Sequence, residues 1–210
     1  MESLWENTSN EEIQERIELL IHRLHFRDLT DDFTEWAANE GDLLEGALLV
    51  ARYHYPDLDT TKVYQEIEKL RRNTWLELNN YLTPIEQINI VTSILYSYYG
   101  LKGGETNYKE PGEFLLNKTL EAKRGNQISN GILYLILCEL LDIPVRAINI
   151  PKQFIIAYFK PGYSEENLPN PIHKIEFFID ATSGQVFTQD DVDSYFKRIA
   201  VPPVGSYFKP

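Results

Sequence analysis

The side chains that could do chemistry are few and far apart along the chain. The single thiol, Cys138, lies inside an apolar run over residues 132–141, where a small buried residue is the simplest reading of it. There are four histidines, His22, His25, His54 and His173. His22 and His25 have the i, i+3 spacing at which two imidazoles on a helix can share a metal ion. No third ligand accompanies them, so a solvated helix face is the reading, and no metal or cofactor is expected. His54 precedes Tyr55-Pro56 at a helix end, where a cation favours the dipole. Gly103-Gly104 precedes no helix at phosphate-cradling spacing and reads as a turn.

Two further residues stay open. Ser129 opens the apolar run, and a hydroxyl becomes a nucleophile only with a base in hydrogen-bond reach. Serine at the start of a helix is equally an ordinary N-cap. Cys138 lies about 13–14 Å further along the same helix and near its opposite face, which favours a small buried apolar residue over a nucleophile standing in for Ser129. Asp180, followed by Ala181-Thr182-Ser183-Gly184, is either a turn starter or a site carboxylate.

The elements that position these residues fall into two kinds. Ser9 with Glu12 predicts a capping box for a first helix carrying Ile13, Ile17, Leu20, Ile21 and Leu24, with a short separate segment around Phe33, Trp36 and Ala37. Asp42 with Glu45, and Asp59, start two more helices. Thr83-Pro84-Ile85-Glu86 is the clearest start signal, for a helix running to Gly100. A helix over residues 112–125 and a central, nearly all-apolar helix from Ser129 follow. After Pro144 the pattern changes to short β-branched and aromatic runs at residues 145–150, 154–159 and 175–180, which read as strands. Thr188 caps a last helix, and Val201-Pro202-Pro203-Val204-Gly205 is linker-like. Helices first and strands second give an α+β layout, a central helix against a small antiparallel sheet.

Composition narrows the partners. A chain of 210 residues with 43% apolar and 12% aromatic side chains has material for a core despite a net charge of -12. Its tight basic pairs, Arg71-Arg72 and Lys123-Arg124, form no stripe, which argues against nucleic acid and anionic membrane surfaces. One cysteine excludes an internal disulfide framework. With no signal-peptide pattern at the N-terminus, the expectation is a cytoplasmic protein, in which the sequons at Asn7 and Asn117 are chance.

Several segments resemble the SirB-type branch of the transglutaminase-like proteins. They are Gly46-Ala47-Leu48-Leu49-Val50-Ala51-Arg52 with Tyr55-Pro56-Asp57-Leu58-Asp59, the run from Phe114 to Ser129, Leu133-Tyr134-Leu135, and Ile148-Asn149-Ile150-Pro151-Lys152-Gln153-Phe154. The resemblance implies a helical N-terminal region over 1–110, a transglutaminase-like core over 111–200 and a linker-like tail over 201–210. It also implies a site: a cysteine at the start of the central helix, favoured as thiolate by the helix dipole, a histidine on a neighbouring strand and an orienting acid. The matching slots hold Ser129, Gln153 and Asp180. In that branch a histidine usually occupies the Gln153 slot, and Gln153 cannot titrate. His173 falls at the far end of the expected strand pair, about 20 Å from Gln153. Asn126 and Gln127 are candidates to line the same cleft. The leading expectation is therefore a non-catalytic interaction or scaffold module with a protein partner. The alternatives are a hydrolase or acyltransferase using Ser129 with another base, and a peptide or small-molecule binder using the old cleft.

Overall fold

The computed structural model describes residues 2–160 and 171–210, with side chains from Ile13 onward. The chain divides into two compact units between Leu58 and Asp59. The division at residue 110 implied by the resemblance is not where the chain separates: the helices after Asp59 bury Val63, Ile67, Leu70, Ile88 and Val91 and belong to the second unit.

In the first unit, α1 (Glu2–Ala38) is one continuous helix. It begins upstream of Ser9, so the expected start there is not a helix start. The side chains of Asn7, Ser9 and Glu12 lie outside the described residues. Nor does the chain break near Phe33, because no glycine or proline interrupts it before Gly41. Trp36, in the last turn, closes the connection to α2 (Leu43–His54). Its indole donates to the Asp42 carbonyl at 2.8 Å, and a Cβ on Gly41 or Gly46 would come within 2.2 or 2.3 Å of the ring. Asp42 caps α2 through the Glu45 amide, as the sequence predicts.

The second unit opens with α3 (Thr60–Glu77), capped by Asp59, and α4 (Pro84–Thr92), where Thr83 and Glu86 form the expected reciprocal box. The helix then loosens into a π-helical stretch, Ser93–Tyr98. Strand β1 (Lys102–Gly103) pairs in parallel with β2 (Arg124–Gly125). Between them lie a 3-10 turn, Pro111–Phe114, and α5 (Leu116–Ala122). The single helix expected over 112–125 is cut short because Lys123 adopts φ 48°, a left-handed stop that turns the chain into β2.

The central helix α6 (Gln127–Glu139) packs against an antiparallel sheet ordered β3 (Val145–Ile150), β4 (Gln153–Phe159), β5 (Ile175–Ile179), β6 (Val186–Phe187). Gly131 lets the helix approach, since a Cβ there would meet the Phe154 ring at 2.3 Å. The Tyr134 hydroxyl lies 3.1 Å from that of Thr92, tying α6 to the end of α4. The other face of the sheet buries Ile148, Ile155, Ala157, Phe159 and Phe178 against Val192 and Phe196 of α7 (Gln189–Ile199). This α+β arrangement is the one the sequence predicts.

The tail does not behave as a linker. A 3-10 turn, Gly205–Phe208, carries Phe208 into the same core, where it is 1% exposed and its ring centroid lies 5.9 Å from that of Phe196. Truncating a buried phenylalanine costs about 3–5 kcal/mol. Phe208→Ala is therefore expected to lower the unfolding free energy of the second unit, read from a denaturant melt, by that amount. A change below about 0.5 kcal/mol, typical of a solvated surface position, would show a free tail.

Candidate functional site

The first turn of a helix leaves four backbone N–H groups without partners, and at α6 the Asn126 and Ser129 side chains satisfy three of them. Asn126 is the N-cap: its Oδ1 accepts from the Ile128 and Ser129 amides at 2.9 and 3.0 Å. The Asn126 amide in turn donates to Ser129 Oγ at 3.0 Å, closing a capping box. Asn126 Nδ2 donates to the Glu113 carbonyl at 3.2 Å, which anchors the 3-10 turn. Ser129 is thus not the cap residue expected from the sequence. It lies three residues further on and serves the cap from inside.

That position removes the Ser129 hydroxyl from solvent. Ser129, Asn126 and Asn130 are 0%, 1% and 0% exposed. A Cβ on Gly125 would fall 2.4 Å from Ser129 Oγ and 2.3 Å from Asn130 Oδ1, so only glycine closes over these atoms. Asn130 Oδ1 has no conventional hydrogen-bond partner. Asn130 Nδ2 donates to the Lys102 carbonyl at 3.3 Å, holding β1 beside the helix start.

Gln127, the first residue of α6, points the other way. Two residues along a helix rotate the side chain by about 200°, so a first residue that faces the sheet forces Ser129 to face away from it. Gln127 Nε2 donates to Gln153 Oε1 at 2.8 Å. Gln153 is held by a two-residue hairpin turn, Pro151-Lys152, in which Ile150 pairs with Gln153. Proline followed by Lys152 at φ 64° is the type II pattern, and the Tyr195 hydroxyl pins the turn at the Pro151 carbonyl at 2.7 Å.

Asp180 follows β5 at the sheet end where β4 begins, because Ile156 pairs with Ile179. Continued by one step, that register sets Asp180 across from Ile155, two residues along β4 from Gln153. Its carboxylate accepts from the Thr182 amide at 2.9 Å and from the Thr182 and Ser183 hydroxyls at 2.7 Å each. These bonds make Asp180 the anchor of its own turn. Tyr96, on the π-helical stretch, donates to the Ala181 carbonyl at 2.6 Å. Burial, and then the Asp180 charge, raise its hydroxyl pKa.

The structure thus brings Gln127 and Gln153 into contact and turns Ser129 inward. Asn126, a candidate to line the cleft, is a buried cap. Cys138 is fully buried, and desolvation pushes its thiol pKa up. His173 lies in the 3-10 turn Pro171–Lys174 that leads into β5, whose first residue, Ile175, pairs with Phe159 at the far end of β4 from Gln153. In the first unit, His22 packs on Phe26, and a ring nitrogen of His25 lies 3.4 Å from the Arg52 carbonyl. Among the described residues no three His, Cys, Asp or Glu side chains gather as a metal site. A cavity of about 260 Å³ lined by Leu29, Phe33, Leu49 and Tyr53 belongs to the first unit and contains none of the expected site residues. The contact that sequence reading missed carries one signal: Gly125-Asn126 before an apolar helix marks Asn126 as the cap and therefore Gln127 as the first turn.

Comparison with known proteins identifies relatives of this arrangement. The family described as the transglutaminase-like superfamily matches residues 61–208, more than half of the chain. Among curated proteins, SirB1 of Salmonella typhimurium is 26% identical over 118 residues, covering 56% of this chain and 44% of that protein. A UPF0162 protein of Xylella fastidiosa is 29% identical over 125 residues, 54% of this chain and 41% of its own length. The UPF0162 protein YchA of Escherichia coli is 26% identical over 118 residues, 56% and 44% of the two chains. The chain spans less than half the length of these relatives. No solved structure matches.

Two outcomes check the geometry. Wild-type protein is expected to give no thiol reaction with a disulfide reagent at pH 8, since Cys138 is buried and protonated. Gln127→Cys should react readily, and Ser129→Cys should stay at least about 100-fold slower, as for a thiol exposed only by opening of the fold. Gly125→Ala should cost about 1–3 kcal/mol in a denaturant melt through overpacking on Ser129 and Asn130.

Proposed function

Because the chain belongs to the transglutaminase-like superfamily, its cleft can be compared slot by slot with an active one, and we propose that it is a non-catalytic interaction module. The observation that carries this reading is the Gln127–Gln153 contact. An active site of this architecture needs a nucleophile at the helix start and a titratable base on the strand. Here both groups that meet are carboxamides, which neither attack nor exchange a proton at physiological pH. Ser129 does not rescue the chemistry: its oxygen accepts from the Asn126 amide under Gly125, with no base beside it. Asp180 orients Thr182 and Ser183 rather than an imidazole.

The partner in this reading is a protein. The net charge of -12 disfavours polyanions, and no helix among the described residues is long and apolar enough to cross a membrane. Near the helix start, the segment tied to Asn126 displays Tyr108, 79% exposed, with Phe114 at a ring-centroid distance of 5.8 Å. Exposed aromatic side chains of this kind anchor protein interfaces. A cytoplasmic setting belongs to the same proposal and is supported by a single, buried, unpaired cysteine.

A second reading, binding of a small ligand or peptide in the old cleft, now rests on fewer groups. Asn126 and Asp180 are engaged in internal bonds, whereas Gln127 and Gln153 bond to each other and keep further amide donor and acceptor capacity.

Purified protein incubated with amide, ester and acyl-donor substrates is expected to show no turnover above buffer, and Ser129→Ala should be indistinguishable from it. Turnover that either Ser129→Ala or Gln127→Ala abolishes would overturn the proposal.

A further inference from the structure

We draw no further inference here: the strongest candidate, the exposed apolar stripe of Ile13, Ile17, Leu20 and Leu24 along α1, extends over only about two heptads before Arg27 takes its seam position, and nothing in the structure shows what covers it.

Discussion

The cap at Asn126 is the interaction on which the rest of the second unit depends. A buried helix start without a cap leaves several amides desolvated and unpaired, at a cost of about 1–3 kcal/mol for each such group. Asn126 and Ser129 resolve this reciprocally, and the solution fixes the rotation of α6 about its axis. Once that rotation is set, Gln127 faces the hairpin, Gly131 meets Phe154, and Tyr134 reaches Thr92. The same cap holds the Pro111–Phe114 turn through Glu113 and requires glycine at position 125.

The chemical consequence follows from that rotation. A helix N-terminus is a place where a thiol would be pushed toward thiolate, but the potential acts only on a group that can ionise. The side chain that receives it here is a carboxamide, and its strand partner is another. Their bond is neutral and partly solvated, so its net contribution to stability is modest, on the order of 1 kcal/mol. On the proposed reading, the architecture is kept without the electrostatics that would make it reactive. Asp180 illustrates the same point, its charge being balanced within its own turn while Tyr96 fixes the adjoining carbonyl.

Much of the fold was legible because capping and strand signals are local. Asp42, Asp59, Thr83 with Glu86, and Thr188 all cap helices where the sequence places them. The β-branched and aromatic runs after Pro144 are strands in the expected order. The features that escaped are set by packing. Phe208 looks like part of a tail because proline-rich chain precedes it, yet the core has a place for its ring. The left-handed Lys123 has no signature, since lysine adopts it only under tertiary constraint. At the site, Asn126 and Ser129 are both good caps, and choosing the wrong one rotates every inference about which side chain faces the strand. The residue pair that meets was within the candidate set, but its pairing could not be read until the helix start was fixed.

A double-mutant cycle in the folded protein tests the central claim most directly. Melting wild type, Gln127→Ala, Gln153→Ala and the double variant should give a coupling of about 0.5–1.5 kcal/mol between residues 127 and 153. The parallel cycle between Ser129 and Gln153 should give a coupling within about 0.3–0.5 kcal/mol of zero. Coupling of Gln153 to Ser129 with none to Gln127 would contradict the account, because it would place the serine hydroxyl in the cleft.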